Sequence, residues 1–205
     1  MTAMRTWLRR QVRPRTTPLT RNAPFELTNV DEYLDGVRYQ AFDLALRAIK
    51  REGVPGAIAE LGVYKGTLSR FLYAMCPERD LYLLDSFGGG LPDGRFTDTS
   101  IAEVGLLGKP NVHVLAGWFP ETADKIPAEE RFAMVILDAD IYESTLAGLR
   151  FFHPRIESGG YLFLHDFNNA TEPGVREAVG EYFGWPSPLV ELPDTWGSAV
   201  MRVMR

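Results

Sequence analysis

The sequence predicts an α/β fold built on a mostly parallel sheet, and three observations support this prediction. Short apolar runs alternate with longer stretches of helical spacing from residue 56 onward. The connections between these runs are long enough to hold a helix, as crossovers between parallel strands require. The last stretch breaks the alternation, because two apolar runs are joined there by a turn containing Pro193, Asp194 and Gly197. We therefore expect seven strands, of which the last two form an antiparallel hairpin.

The elements can be assigned in order along the chain. A first helix is predicted over 37–50, where Phe42, Leu44, Leu46 and Ile49 lie near helical spacing, and it should pack on the sheet. Five parallel strands follow at 57–61, 81–84, 112–115, 134–137 and 161–164, with helices at 67–75, 143–152 and 174–183. Glycines and prolines in 88–94 predict a loop, and 101–107 fits either a loop or a helix. The hairpin strands are predicted at 189–192 and 199–204.

Length and charge limit the classes of protein to consider. The 205 residues, 45% of them hydrophobic and 24% charged, fit one soluble globular domain. Residues 1–22 carry six arginines and no acid, which is a charge of +6. The formal net charge of the whole chain is −5, so the remaining residues carry −11. We expect a basic tail at 1–24 and one domain at 25–205, whose acidic body argues against nucleic acid as the main partner. The tail is either solvated or in contact with a phosphate, an acidic surface or a second subunit, as in a homodimer.

The expected cellular location of the protein follows from its single cysteine and from the pattern of its apolar residues. The lone Cys76 has no internal disulfide partner. No run approaches the roughly 20 apolar residues of a membrane span, and the N-terminus lacks the apolar stretch of a secretory signal. A cytoplasmic protein without a membrane partner is therefore expected.

The loop after the first strand contains a candidate cofactor site. Its sequence runs from Glu60 to Gly66, in which Gly62 allows a tight turn and Gly66 opens the next helix. The dinucleotide pattern G-x-G-x-x-G and the phosphate loop are both absent. An acid beside a glycine turn suits a ligand with a cationic centre and no phosphate, and S-adenosyl-L-methionine is such a ligand. The alternative is that both glycines serve only turning and packing.

The second and third strands end in residues suited to a nucleoside. Asp85, followed by Ser86, lies 23 residues after Gly62, close to the spacing at which an acid accepts hydrogen bonds from ribose hydroxyls. After the third strand, Gly117 allows an adenine to approach the backbone, and Trp118 or its neighbour Phe119 is positioned to cover it. Aromatic residues at such positions more often belong to the core, so this assignment depends on the other two loops.

The fourth and fifth strands end in groups suited to catalysis. Asp138 and Asp140 follow one strand, and His165 and Asp166 follow the next. Carboxylates gathered at one edge are ligands that Mg²⁺ prefers, usually alongside several waters. The alternative is that Asp138 caps the next helix, Asp140 is solvated, and His165 and Asp166 make local loop hydrogen bonds.

Residues 59–183 resemble the macrocin O-methyltransferase family, whose members are magnesium-dependent and methylate sugar hydroxyls on antibiotics and related products. The matching segments are Glu60-Leu-Gly-Val-Tyr-Lys-Gly66, Leu84-Asp-Ser-Phe87 with Leu91-Pro92, Gly117-Trp-Phe-Pro-Glu-Thr122, Leu137-Asp-Ala-Asp-Ile-Tyr-Glu-Ser-Thr145, and Gly159-Gly-Tyr-Leu-Phe-Leu-His-Asp-Phe167 with Gly174-Val175. The resemblance implies the Rossmann-like fold of class I methyltransferases.

The resemblance also implies roles for the rim residues. Asp138 and the pair His165–Asp166 match the metal-binding positions, and Asp140 matches the acid that deprotonates the acceptor. His165 stands where the family has an aspartate, a change that weakens Mg²⁺ binding, favours a metal that tolerates nitrogen, or removes the metal and leaves His165 as a base or acceptor-binding group. Compared with typical members, a shorter N-terminus is also expected here, so the lid that shapes the acceptor pocket is expected to be reduced or different.

The expected function is therefore methyl transfer from S-adenosyl-L-methionine to a hydroxyl of a small molecule, a sugar or natural product, with help from a divalent metal. One alternative is a non-catalytic nucleoside-binding or scaffolding module with the same fold. Another is a nicotinamide oxidoreductase, which the missing glycines at positions 60 and 65 disfavour.

Overall fold

A computed structural model describes residues 35–205, and the predicted basic tail lies outside these described residues. The helices are α1 (Gly36–Glu52), α2 (Thr67–Met75), α3 (Tyr142–Phe152) and α4 (Pro173–Phe183). The strands are β1 (Ala57–Leu61), β2 (Leu81–Asp85), β3 (Val112–Ala116), β4 (Phe132–Leu137), β5 (Ile156–Leu164), β6 (Val190–Glu191) and β7 (Ala199–Arg202). Within residues 35–205, no helix is long and apolar enough to cross a membrane.

The seven strands form one sheet in the order β3-β2-β1-β4-β5-β7-β6. The first five are parallel, and β7 runs antiparallel to both β5 and β6. The predicted seven-stranded sheet with a C-terminal hairpin is thus confirmed. β1 and β4 are buried along their whole length, which explains why they read as continuous apolar runs in the sequence.

Alternate residues of the central strands enter two separate cores, because successive side chains point to opposite faces of a sheet. On one face, Ile58 and Met134 pack with Phe42 of α1 and Phe71 of α2. On the other face, the core contains residues of β1, β4, α3 and α4: Ala59, Leu61, Val135, Leu137, Leu149, Phe152, Val175 and Val179. The helices therefore cover both faces and leave the carboxyl edge of the sheet open.

The strand register places the candidate loops in one row. Leu61 pairs with both Leu84 and Leu137, and Leu137 pairs with Leu164. The next residues along the chain are Gly62, Asp85, Asp138 and His165. The strand order reverses between β1 and β4, which is where ligands bind in open α/β sheets.

Several details differ from the sequence predictions. β5 begins at Ile156, five residues before the predicted start, and the predicted hairpin strand 189–192 is limited to Val190–Glu191. Leu44 is 67% exposed, because the face of α1 that meets the sheet carries Phe42, Leu46 and Ile49 instead. The segment 101–107 forms only a single 3₁₀ turn, Ile101–Val104, which begins at a capping box of Ser100 and Glu103.

Candidate functional site

A cavity of about 320 Å³ opens at the carboxyl edge of the sheet. Ten of the eleven candidate residues line it: Glu60, Gly62, Asp85, Ser86, Gly117, Trp118, Asp138, Asp140, His165 and Asp166. Gly66 is outside this lining, and its positive φ of 73° together with its contact on Val104 fits the packing alternative. Four non-glycine residues with positive φ also line the cavity: Tyr64, Phe96, Asp140 and Asp166. Such conformations concentrate at functional sites.

Gly62 brings the ends of β1 and β4 together. Its φ is +94°, and a Cβ atom there would lie 1.8 Å from the carbonyl oxygen of Asp138. The Asp138 N–H in turn donates to the Leu61 carbonyl at 2.8 Å. Only glycine fits this approach, so the position serves the packing of the two loops and also exposes backbone to the cavity.

The carboxylate of Asp85 organises the glycine loop. One of its oxygens accepts from the N–H groups of Val63 at 2.7 Å and Tyr64 at 2.8 Å, and the other accepts from Phe87 N–H at 2.5 Å. A carboxylate has about four lone-pair sites, so these three bonds leave room for a ligand hydroxyl. Asp85 therefore shapes the loop whether or not it also contacts a ribose.

Glu60 lies deep in the cavity wall, where it is 1% exposed and accepts a hydrogen bond of 2.6 Å from Ser69 Oγ. Burial raises the pKa of Glu60 well above its usual range, and the charges of Asp138 and Asp85 raise it further. The neutral form of Glu60 is therefore favoured in the cavity, and a cation bound beside it would favour the ionised form.

The far end of the cavity is formed by the loops after β2 and β3. Ser86 Oγ donates to the Gly90 carbonyl at 3.1 Å, and the Gly117 N–H donates to the Asp85 carbonyl at 3.0 Å. Trp118 lines this end, whereas Phe119 stacks on Phe152 in the core with ring centroids 5.6 Å apart. Of the two aromatic candidates, Trp118 is thus the one with a side chain at the cavity and no core ring partner within residues 35–205.

Asp138, His165 and Asp166 form a compact cluster. His165 Nδ1 lies 2.8 Å from Asp138 Oδ1 and 2.5 Å from Asp166 Oδ2. Burial disfavours the imidazolium, but the charge of Asp138 and hydrogen bonds from both acids outweigh it and raise the pKa of His165 to about 10. Burial likewise works to raise the pKa of Asp138, yet the charge of His165 lowers it overall. The helix-cap alternative for Asp138 is wrong, because α3 begins after Ile141.

The donor set of this cluster fits a divalent metal. The three ligand atoms lie within 4.8 Å of one another. Adjacent ligands of an octahedral ion with bonds of about 2.1 Å are separated by about 3 Å, close to the observed spacing of His165 Nδ1 from the two carboxylates. A nitrogen beside two oxygens suits Mn²⁺, Fe²⁺, Co²⁺ or Zn²⁺ better than Mg²⁺.

Asn169 fixes the orientation of Asp166. Its Nδ2 donates to Asp166 Oδ1 at 2.7 Å, while its own Oδ1 accepts from the N–H and Oγ1 of Thr171 at 3.0 and 2.8 Å. These bonds from Thr171 define which end of the amide faces Asp166, and so hold that carboxylate in one orientation.

Asp140 stands apart from the cluster. Within residues 35–205 its carboxylate accepts no hydrogen bond, and its φ is +58°. Burial, together with the charges of Asp138, Asp166 and Glu172, raises the pKa of Asp140 to about 8. A carboxyl group with a pKa near the working pH is suited to act as a general base.

Sequence reasoning missed four charged residues of the lining: Arg38, Lys65, Arg95 and Glu172. Arg38 of α1 is 7% exposed, and its charge lowers the pKa of Asp138. Its position one turn before Phe42, on the face toward the sheet, is the signal that could have revealed it. Arg95 binds Glu172 through two bonds of 2.5 and 3.2 Å, and the 77 residues between them leave no sequence signal.

The chain matches the family model described as Macrocin-O-methyltransferase (TylF) over residues 33–101 and 95–185. It is 28% identical over 192 residues to 8-demethyl-8-(2,3-dimethoxy-alpha-L-rhamnosyl)-tetracenomycin-C 4'-O-methyltransferase of Streptomyces olivaceus, covering 79% of this chain and 70% of that protein. It is 32% identical to mycinamicin III 3''-O-methyltransferase of Micromonospora griseorubida, covering 69% and 67%.

Solved structures agree on the fold. The O-methyltransferase NovP superposes with a TM-score of 0.70 at 24% identity, covering 82% of this chain and 80% of that one. The calicheamicin methyltransferase CalS11 gives 0.66 at 25% identity, covering 80% and 79%. The fold predicted from the sequence, that of class I methyltransferases, is therefore confirmed.

Proposed function

Because the chain belongs to the macrocin O-methyltransferase family, whose enzymes use S-adenosyl-L-methionine, we propose that it methylates a sugar hydroxyl of a natural product. The observation that carries this proposal is the position of the two halves of the cavity. The loop after Gly62 and Asp85 lie on the β2 side of β1. The cluster of Asp138, His165 and Asp166 lies on the other side, at the ends of β4 and β5. The acceptor class rests on the names of the two relatives, which are O-methyltransferases of a rhamnosyl-tetracenomycin and of mycinamicin III.

The cofactor is proposed to lie across the ends of β1, β2 and β3. Its ribose hydroxyls would add to the bonds that Asp85 already accepts, with Ser86 alongside. Its adenine would lie between the backbone at Gly117 and the indole of Trp118. Glu60, neutral before binding, would ionise beside the positive charge of the methionine part.

In the proposed reaction, the acceptor oxygen attacks the methyl carbon as its bond to sulfur breaks, and the hydroxyl proton passes to Asp140. Charge is dissipated in this displacement, so the protein contributes mainly by placing oxygen, methyl and sulfur in line. Asp140 suits the base role because its carboxylate has no competing hydrogen bond within residues 35–205.

Asp138, His165 and Asp166 would hold a divalent metal, which when bound acts as a Lewis acid on the acceptor oxygen. Asn169 keeps Asp166 in the orientation this requires. Without a metal, the same three residues form a pair of carboxylates around an imidazolium, and His165, already protonated, then serves as an acceptor-binding group that donates a hydrogen bond.

The test begins with native mass spectrometry of the protein as purified, where co-purified S-adenosylhomocysteine would identify the cofactor. Methyl transfer is then measured with mycinamicin III, other glycosylated antibiotics and simple catechols, before and after chelation. Loss of activity on chelation and its return with Mn²⁺ or Mg²⁺ would support the metal. Cofactor binding with no turnover on any acceptor would favour the non-catalytic module, and failure to bind the cofactor would overturn the proposal.

A further inference from the structure

Two tryptophans line the cavity at opposite ends of the sheet. Trp118 follows β3, and Trp196 lies in the turn between β6 and β7. Within residues 35–205, neither indole has a hydrogen bond or a ring contact with another side chain. The other lining aromatics are Tyr39, Tyr64, Phe96 and Phe119, and all of them pack against rings. The two indoles are therefore the aromatic surfaces that face the cavity without a ring partner in this part of the chain.

The positions of these indoles assign them to different ligands. The cofactor is proposed to cover the ends of β1, β2 and β3, so Trp118 belongs to its half. Trp196 lies beyond β5, on the side of Asp138, Asp140 and His165. A molecule that presents a hydroxyl to Asp140 from this side would lie against Trp196.

The backbone around Trp196 is held firmly in place. Thr195 N–H donates to Asp35 Oδ2, the side chain that caps α1, and Gly197 O accepts from Asn168 N–H at 2.8 Å. A Cβ atom at Gly197 would lie 2.9 Å from Cβ of Asn168, so the turn packs directly on the loop that carries Asp166. The backbone that carries the indole thus has a fixed relation to the loop that carries Asp166, and the Trp196 side chain is 38% exposed.

We propose that Trp196 is the acceptor-binding wall of the cavity and stacks on the apolar C–H face of the pyranose ring that is methylated. This inference rests on the proposed function for its ligand class. A rigid indole offers a large apolar face at low entropic cost, and a sugar ring offers a matching face of C–H groups. Its stacking would hold the ring so that one hydroxyl points toward Asp140, and would thereby select which position reacts.

The test uses methyl α-L-rhamnopyranoside as the probe and protein saturated with S-adenosylhomocysteine. Saturation-transfer NMR and titration give its affinity for wild type, Trp196→Ala, Trp196→Phe and Trp185→Ala. Trp185 is the matched control, because it is also an exposed tryptophan, at 55%, and does not line the cavity. Calorimetry with S-adenosylhomocysteine confirms in each variant that the cofactor half is intact.

We expect Trp196→Ala to weaken probe binding about tenfold, the upper range for a single aromatic contact, and Trp196→Phe to retain part of the affinity. Trp185→Ala and the cofactor affinity of every variant should stay unchanged. The assignment of Trp196 as the acceptor-binding surface would be overturned by equal probe affinity in wild type and Trp196→Ala. It would also be overturned if cofactor-loaded wild type showed no saturation transfer to the sugar. Failure of wild type to bind S-adenosylhomocysteine would instead overturn the proposed function.

Discussion

The two halves of the cavity satisfy their carboxylates in different ways. In the half next to β2, Asp85 accepts hydrogen bonds from three backbone N–H groups. In the half next to β4 and β5, Asp138 and Asp166 are balanced by His165, and Asp166 also by Asn169. One half is therefore set by the course of the backbone and the other by a balance of side-chain charges. Substitutions in the first half should alter the affinity for the cofactor, and those in the second half should alter the rate of methyl transfer.

The largest effect is expected for Asp140→Asn. Turnover should fall roughly 100-fold to 10,000-fold, the usual contribution of a positioned general base, with partial recovery at higher pH. The affinity for S-adenosylhomocysteine should change little, because Asp140 is in the other half. Steady-state kinetics and calorimetry measure the two quantities. Glu143→Gln, an exposed acid in the first turn of α3, is the control, and full activity of Asp140→Asn would place that carboxylate outside the mechanism.

A smaller effect, on cofactor binding rather than on turnover, is expected for Asp85→Ala. Removing hydrogen bonds to a charged group should weaken cofactor binding by roughly 1.5–3 kcal/mol, or about 10-fold to 150-fold. The loss combines the ribose contact with the released N–H groups of Val63 and Tyr64. Asp85→Asn separates them, because its amide keeps one oxygen acceptor. Unchanged calorimetric affinity in Asp85→Ala would disprove the ribose assignment.

Asn169→Ala tests whether the second half depends on the orientation of Asp166. The loss of such a supporting bond typically costs 10-fold to 100-fold in metal affinity or activity, so we expect roughly 10-fold. Added metal should restore most of the rate by mass action. The neighbouring Asn168→Ala, which does not line the cavity, is the control. A lower rate that no metal concentration restores would mean that Asn169 does not act through a bound metal.

The sequence was a good guide to the residues at the carboxyl edge of the sheet and a poor one to contacts between distant loops. Apolar runs predicted all seven strands, and the row of residues at the carboxyl ends of β1, β2, β4 and β5 is Gly62, Asp85, Asp138 and His165. These could be found because parallel strands bring their carboxyl ends to one edge. The pairing of Arg95 with Glu172 joins residues 77 apart in the chain, and such a contact depends on how loops close.

The role of Gly66 was likewise beyond the reach of local pattern, and for Arg38 the spacing from Phe42 indicates the helix face but not the burial of its charge. Position 66 carries a glycine, as a ligand-binding loop would need. The contact of Gly66 with Val104, however, depends on the path of residues 101–104. Arg38 occupies a helix position where a long charged side chain is usually solvated. Its burial beside Asp138 follows from the acids that β1 and β4 gather at the sheet edge, and these belong to distant parts of the chain.

The effect with the least consequence for activity is a change in stability with pH at Asp140. Its pKa is raised to about 8 in the folded chain from a usual value of 3.8, mainly by burial. A group that binds its proton more tightly when folded contributes stability that is complete below pH 3.8 and is lost as pH rises toward 8. Asp140→Asn removes this ionisation, so the variant should melt at a higher temperature than wild type above pH 8 and lose that advantage near pH 4. One kcal/mol corresponds to roughly 2–4 °C in a chain of this size, which calorimetry resolves. Equal pH profiles for the two proteins would mean that Asp140 is ionised at neutral pH without penalty. Its half of the cavity would then carry a free negative charge rather than a balanced set.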